Sequence, residues 1–179
     1  KELYFNKNNI EGAKNYILDN LKKIFELDIE IPQKVVGIGG SIRALSKLVM
    51  TKNRYPLDIL HGFTFKVKDE FFLFDRISRA RDNEDLKSFG VKKDRFDTIK
   101  EGAFIFKTIL EELKIEQVVT SGVGVREGVY LTDLLRNSNH KFPENFNVSV
   151  KSLLDRFQID EKHSSYLGNN AKKIFYVLK

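Results

Sequence analysis

The hydrophobic pattern is most informative over residues 33–50, where a short apolar run leads into glycines and then into a helical repeat. Residues 35–38 are apolar or glycine and predict a buried strand. Gly39 and Gly40 provide a turn, and Ser41 is the predicted N-cap of a helix that ends near Met50. The apolar face of this helix is formed by Ile42, Leu45, Leu48 and Val49.

A strand, a glycine turn and a helix N-terminus together make a site where an anion can bind. The first N–H groups of a helix have no partner within the helix, and the helix dipole is positive at that end. The same pattern also fits an ordinary strand-to-helix turn, in which the glycines only relieve backbone strain. By itself, this stretch favours the ordinary turn.

Further helices are predicted wherever apolar residues recur every three or four positions. Asn9 is the predicted N-cap of a helix over residues 10–27, and Asp69 of a helix that runs to residue 81. A short helix follows Asn83. Amphipathic patterns predict helices over residues 98–113, 129–135, 148–157 and 161–178, with a polar linker at 137–147.

Only one other strand is clear, at residues 117–120, and it leads into a second glycine-rich segment at 121–128. Two strands make a poor sheet. We therefore expect weak strands within residues 1–5 and 60–65, or further strands upstream of Lys1. The chain is predicted to be a piece of a longer protein.

Composition narrows the class of protein only slightly. The 179 residues are 41% hydrophobic and 31% charged, as in ordinary globular domains, and no apolar run is long enough to predict a membrane span. The absence of cysteine excludes disulfides and thiolate metal sites and fits a cytoplasmic location. The net charge of +6 favours an anionic partner, but the basic residues are dispersed, so no nucleic-acid surface is predicted.

Four segments in series resemble the exopolyphosphatase/guanosine pentaphosphate phosphohydrolase family. They read GIGGSIRAL, LHGFTF, RFDTIKEGAFIFKTILEEL and VVTSGVGVREGVYL, and the similarity runs from about Lys1 to Leu135. The resemblance implies an α/β fold, as part of the second ribonuclease H-like lobe of an actin-like ATPase, mostly helical here. Residues 1–137 would form this part of the lobe. Residues 138–179 would form a linker and the first helices of an all-α, HD-like domain.

The resemblance also implies what the chain lacks. The family's Asp-x-Gly-Gly-Gly-Ser phosphate loop does not occur in these residues, and neither does the first lobe with its general-base glutamate. The Mg²⁺ expected for the whole protein would therefore have its ligands elsewhere, and this chain alone is predicted to be inactive. Polyphosphate or guanosine polyphosphates are the expected ligands, and a homodimer is expected for the full-length protein.

Six residues are predicted to bind phosphate. By resemblance, Gly39, Gly40 and Ser41 form a turn that faces the nucleotide cleft, although the family often has threonine at the position of Ser41. A cation in the first turn of a helix opposes the dipole, so Arg43 is either a phosphate ligand or one partner of an ion pair. The remaining two predicted ligands are Arg95 and Arg126. The alternative for Arg95 is that it is a solvated arginine at the start of a helix and does not bind phosphate.

Other polar residues are expected to be structural. His61 matches the family's histidine–glycine pair and is predicted to be packed and hydrogen-bonded. Arg126 and Glu127 are predicted to form an ion pair that fixes their turn. His163 resembles the first histidine of an HD-type metal site, but no converging ligands are recognised with it, so no metal site is predicted.

The leading hypothesis is a phosphoanhydride hydrolase that releases the terminal phosphate of polyphosphate or guanosine pentaphosphate. Water would attack in line, with positioning and charge neutralisation supplying most of the rate. One alternative is a non-catalytic sensor of these polyanions. Another, based on the shared fold alone, is a sugar-kinase or chaperone-type ATPase lobe.

Overall fold

A computed structural model describes residues 9–26, 30–142 and 148–178. It consists of two compact units that divide between Gly128 and Val129. The first unit contains the sheet and most of the helices, and the second is helical.

The described part of the first unit has a three-stranded sheet in the order β1-β3-β2. The strands are β1 (Lys34–Gly37), β2 (Thr64–Lys66) and β3 (Gln117–Thr120). β1 runs parallel to β3, as predicted for two strands that each lead into a helix, and β2 runs antiparallel to β3. The prediction that β1 is buried is wrong, because Val36 is 62% exposed and only Gly37 of its four residues is buried. β2 overlaps the weak strand expected within residues 60–65, whereas the one expected at residues 1–5 lies outside the described residues.

The helices of the described residues agree with the predicted ones in number and approximate position. The first unit contains α1 (Ile10–Phe25), α2 (Gly40–Lys52), α3 (Val67–Ser78), α4 (Asn83–Ser88), α5 (Ile99–Glu112) and the start of α6 (Val125–Leu134). The second unit contains the rest of α6, then α7 (Val148–Arg156) and α8 (Glu161–Leu178). Short 3₁₀ turns cover Lys93–Arg95 and Arg136–Ser138. α5 is the central helix of the first unit and packs against α1, α2 and α3.

One predicted helix cap is confirmed and one is wrong. The side chain of Asn9 accepts the N–H of Gly12 at 3.1 Å and so caps α1. α3 begins at Val67, so Asp69 lies inside its first turn and is not the cap. An acidic side chain there is still favourable, because it faces the positive end of the helix dipole.

Aromatic side chains connect β2 to the helices that cover it. The rings of Phe63, Phe65, Phe74 and Phe106 form a row with centroid separations of 6.0, 5.9 and 5.7 Å. Each of these residues is at most 8% exposed. Tilted and edge-on ring pairs add to the stabilisation that burial of their area supplies. β2 is therefore held in the core although it has only three residues.

A buried carboxylate joins α3 to the end of α2. Glu70 is 2% exposed and accepts hydrogen bonds from Lys52 Nζ at 2.9 Å and Asn53 Nδ2 at 2.8 Å. Because a buried charge without partners is costly, these two donors are needed to keep Glu70 in place. The contact fixes α2, and with it the turn at its other end, against the rest of the unit.

The second unit is described by itself. Lys151 on α7 forms ion pairs with Asp155 at 3.1 Å and with Glu161, at the start of α8, at 2.9 Å. α8 exposes a run of large apolar side chains from Ile174 to Leu178. Among the described helices, none combines the length and the apolar character that crossing a membrane requires.

We predict that Glu70→Ala lowers the free energy of unfolding by about 1–3 kcal/mol, because it removes the hydrogen bonds that the buried carboxylate accepts from Lys52 and Asn53. Urea denaturation followed by circular dichroism measures the change. The matched control is Glu84→Ala, which removes an exposed carboxylate paired with Lys87 at 3.6 Å. Its effect is expected to stay below about 0.5 kcal/mol. Equal effects of the two variants would contradict this role for Glu70.

Candidate anion site at the ends of two parallel strands

Two glycine-containing loops meet at one edge of the sheet because β1 and β3 are parallel and in register. Gly37 at the end of β1 lies opposite Thr120 at the end of β3. The loops that follow begin side by side, and the N–H of Ser121 donates to the oxygen of Gly37 at 2.8 Å. Polar groups in either loop therefore face a common region beyond the strand ends.

The first loop enters α2 through a backbone conformation that favours glycine. Gly39 has φ +116° and occupies the N-cap position, and α2 begins at Gly40. The prediction that Ser41 is the N-cap is therefore wrong: Ser41 is the second residue of the helix, and no side chain caps it. The glycine turn fills the cap position, and its backbone conformation is difficult for a residue with a Cβ.

The N-terminus of α2 presents backbone donors. The N–H of Arg43 donates to the oxygen of Gly39 at 3.0 Å, which closes the first helical turn. The N–H groups of Gly40, Ser41 and Ile42 precede this bond and so have no acceptor within the helix. Together with the helix dipole, they make this end of α2 locally positive.

Arg95 adds a full positive charge at the same place. It lies in the 3₁₀ turn Lys93–Arg95, and its Nη1 would be 2.9 Å from a Cβ built on Gly40. Its Nε is 3.4 Å from a carboxylate oxygen of Asp94, and its side chain is 42% exposed. The guanidinium thus lies beside Gly40, the first residue of α2, while part of it remains open to a ligand.

Arg43, in the first turn of α2, contacts backbone oxygens. Its Nη1 donates to the oxygen of Gly122 at 3.2 Å, and its Nε lies 3.4 Å from the oxygen of Gly39. The ion-pair hypothesis does not describe these contacts, since both partners are neutral carbonyls. Arg43 therefore bridges the two glycine loops, and its role as a phosphate ligand stays a prediction.

In the second loop, the N–H groups of residues 122–124, before the start of α6, are already occupied. The N–H of Gly122 donates to Nδ1 of His61 at 3.2 Å, that of Val123 to Oγ of Ser121 at 3.3 Å, and that of Gly124 to Oε2 of Glu127 at 2.7 Å. His61 is thus hydrogen-bonded, as predicted, but it is exposed, so the prediction that it is packed is wrong. Because these donors are already used, the second loop is less suited to bind an anion than the first.

Glu127 and Arg126 belong to a helix and not to a turn. α6 begins at Val125, four residues before the predicted start, so Glu127 is its third residue and its carboxylate returns to the N–H of Gly124. This is the glutamate half of a capping box. The predicted Arg126–Glu127 ion pair is absent from the ion pairs of the described residues.

The pKa of Glu127 lies below its ordinary value. The backbone N–H of Glu127 itself contributes most, then the N–H of Gly124, and the charges of Arg126 and Arg43 add to the effect. Arg43 and Arg126 therefore both contribute positive potential at the start of α6. Among the described residues, no hydrogen bond or ion pair joins Arg126 to the other five predicted ligands.

Gly102 is a supporting residue that sequence reasoning missed. A Cβ built on it would lie 2.7 Å from Cβ of Ser41 and 2.9 Å from its Oγ. α5 can therefore approach the start of α2 only because residue 102 has no side chain. The available signal was a glycine inside an otherwise strong helical pattern, which often marks close packing.

The described residues contain no cluster of three or more His, Asp or Glu side chains that could hold a metal ion. The donors that converge at α2 are N–H groups and guanidinium groups, which suit an anion and not a cation. This chemistry does not fit a magnesium site built from the described residues.

The geometry therefore defines a class of site: a strand–glycine turn–helix N-terminus flanked by arginines, suited to a phosphate or similar oxyanion. A comparison with protein families points in the same direction. The Ppx/GppA phosphatase family matches residues 1–137. The chain belongs to this family.

Curated relatives match nearly the whole chain but are much longer. A guanosine-5'-triphosphate,3'-diphosphate pyrophosphatase of Photobacterium profundum is 25% identical over 162 residues, which is 90% of this chain and 30% of the relative. One of the same name from Vibrio campbellii is 25% identical over 167 residues, or 92% of this chain and 31% of the relative. The chain thus spans about 30% of the length of these relatives.

Solved structures support the fold. The crystal structure of the Aquifex aeolicus member of the Ppx/GppA family superposes with a TM-score of 0.59 at 26% identity, over 74% of this chain and 42% of that one. The crystal structure of an exopolyphosphatase-like protein superposes with a TM-score of 0.57 at 17% identity. The match covers 69% of this chain and 41% of that one. The chain therefore shares the actin-like fold of this family, here as a mostly helical unit with a small mixed sheet.

We predict that the Glu127 carboxyl titrates below its ordinary pKa of 4.5. Because the folded pKa is lowered, the first turn of α6 is stabilised above the unfolded pKa, and this stabilisation is lost as pH falls through the folded pKa. NMR titration of the carboxyl carbon and amide exchange at Gly124 measure both effects.

Glu127→Gln is the matched variant for this prediction, because its amide oxygen still reaches the N–H of Gly124 but does not titrate. In this variant, we expect the protection of the Gly124 amide from hydrogen exchange to be the same above and below the pKa of the Glu127 carboxyl. A Glu127 carboxyl that titrates at or above 4.5 would contradict the capping role.

Proposed function

We propose that this chain forms one wall of the substrate site of a phosphoanhydride hydrolase. The whole protein would release the terminal phosphate of inorganic polyphosphate or of guanosine pentaphosphate by in-line attack of water. This chain would bind phosphates of the substrate, and the group that activates water would come from outside it. Membership of a phosphatase family supports the hydrolytic reaction.

The observation that carries the proposal is the position of Arg95 beside Gly40. A guanidinium that lies next to the free N–H groups of a helix N-terminus can share a phosphate with them, since both donate hydrogen bonds to phosphate oxygens. A glycine turn without such a cation would support phosphate binding only weakly. Arg95 comes from the separate segment before α5, so the convergence of the two groups is a property of the folded chain.

The names of the curated relatives support a guanosine polyphosphate as one candidate substrate, since both relatives described above are called guanosine-5'-triphosphate,3'-diphosphate pyrophosphatases. The two substrates share a terminal phosphoanhydride, so the wall formed by α2 and Arg95 could serve either. Discrimination would depend on groups that recognise the base, and those are not among the six predicted ligands.

Several further features complete the proposal. Mg²⁺ would be held by residues outside the described part of this chain, which offers no cluster of metal ligands. Residues 138–179 would begin an HD-like helical domain, the full-length protein would be a homodimer, and neither a membrane nor a nucleic acid would be its partner. A cytoplasmic location is included because the chain has no cysteine, as is common in reducing compartments.

We predict that Arg95→Ala weakens the binding of inorganic tripolyphosphate by the full-length protein about 10- to 100-fold, as expected for the loss of a charge-assisted contact. Gly40→Ala should weaken binding less, because its Cβ displaces the Arg95 guanidinium without removing it. Isothermal titration calorimetry measures both.

Lys47→Ala is the matched control for these variants, since it removes one exposed positive charge from the same helix, about two turns away. We expect less than about a twofold change at physiological salt, where distant surface charges are screened. If Arg95→Ala and Lys47→Ala weaken binding equally, the effect is one of net charge and the proposed contact is wrong.

A separate prediction concerns catalysis. The full-length protein should release phosphate from guanosine pentaphosphate, from polyphosphate, or from both, whereas the purified 179-residue chain should release none from either. A colorimetric phosphate assay checks both. Salt-sensitive binding without hydrolysis by the full-length protein would favour a polyanion sensor instead. Turnover by the 179-residue chain would contradict the assignment of the water-activating group to another part of the protein.

A further inference from the structure

The hydrogen-bond ladder between β2 and β3 continues beyond the two strands. The N–H of Thr120 donates to the oxygen of Phe63 at 2.8 Å, and the N–H of Gly62 donates to the oxygen of Thr120 at 2.9 Å. The N–H of the next residue, Ser121, points the other way and donates to Gly37. Because successive residues of a strand bond alternately to its two neighbours, the N–H of Gly122 points again towards the β2 side.

At that position a side chain replaces the backbone acceptor. The N–H of Gly122 meets Nδ1 of His61 at 3.2 Å. The approach is close, since a Cβ built on Gly122 would lie 2.9 Å from Cβ of His61 and 3.4 Å from its Cα. His61 therefore ends the ladder and fixes the peptide that precedes Gly122.

Arg43 fixes the peptide that follows Gly122. Its Nη1 donates to the oxygen of Gly122 at 3.2 Å, while its Nε lies 3.4 Å from the oxygen of Gly39. The guanidinium thus depends on two carbonyls, one in each loop. If Gly122 moves, Arg43 loses its stronger anchor beside the turn that begins α2.

We propose that His61 is a positioning residue of the anion site. By accepting the N–H of Gly122, it holds the Gly122 carbonyl where it retains the Arg43 guanidinium next to Gly39. His61 itself does not touch the anion. The proposal rests on the proposed function only in assigning phosphate to the site, because the link from His61 through Gly122 to Arg43 is independent of the ligand.

The chemistry of the imidazole makes this role testable. Nδ1 can accept a hydrogen bond only when it carries no proton, so the proton of the neutral ring is on Nε2. The side-chain oxygen of an asparagine can occupy the position of Nδ1, whereas that of a glutamine reaches further, towards Nε2. His61→Asn therefore keeps the acceptor, and His61→Gln and His61→Ala lose it.

The experiment compares these three variants in the full-length protein, with His163→Ala as the control that removes an exposed imidazole from α8. Hydrogen–deuterium exchange of the peptide around Gly122 reports on the loop, and calorimetry with inorganic tripolyphosphate reports on the site. We expect His61→Ala and His61→Gln to exchange faster and to bind about three- to tenfold more weakly, as for the loss of one hydrogen bond. His61→Asn and His163→Ala should match the wild type in both measurements.

Two results would overturn the proposal. If His61→Asn is impaired as much as His61→Ala, the imidazole itself is needed and His61 is a ligand or catalyst. If exchange around Gly122 is unchanged in all three variants, His61 does not hold the loop. A wild-type protein that binds no tripolyphosphate would instead refute the proposed function, and the exchange measurement would then still decide whether His61 fixes Gly122.

Discussion

The parallel pairing of β1 with β3 is the constraint on which the candidate site depends. It brings Gly37 opposite Thr120, so two loops that are far apart in the sequence leave the sheet at the same edge. The hydroxyl of Thr120 donates to that of Ser46 at 2.7 Å, and both residues are fully buried, so α2 is tied directly to the end of β3. Since buried hydroxyl groups need partners, this bond fixes the helix whose first turn forms the site.

The two loops look alike in sequence, but they differ in which of their backbone N–H groups are already hydrogen-bonded. In the second loop, N–H groups are consumed by His61, by the hydroxyl of Ser121 and by the carboxylate of Glu127. In the first loop, a glycine occupies the cap position, so the N-terminal donors of α2 meet no capping side chain. A capping serine would have satisfied one of these donors and competed with a ligand. The wrong prediction about Ser41 is therefore informative: the site is open because the cap is a glycine.

Much of the fold was predictable from the sequence because it depends on local periodicity. The strong apolar repeats of α1, α2 and α5 and of the two helices after the linker gave the correct elements, and so did the two parallel strands. Boundaries were less accurate. α3 begins before Asp69 without any side-chain cap. α6 begins before Val129, and the carboxylate that accepts the N–H of Gly124 comes from Glu127, inside the helix. Neither start is therefore marked by a capping residue that precedes the helix. β2 was only weakly indicated, since its three residues are stabilised by aromatic packing against distant helices.

By itself, the sequence determined the helical pattern and the family resemblance, and it supplied the six residues predicted to bind phosphate. Only the tertiary structure decided how these residues act together. It brings Arg95 beside Gly40, turns Arg43 towards two backbone oxygens, and, among the described residues, joins Arg126 to none of the other predicted ligands. Such contacts join segments that are dozens of residues apart, and neither propensity nor spacing specifies them. They follow from sheet register and from the close packing of α5 on α2 at Gly102, which exist only in the folded chain.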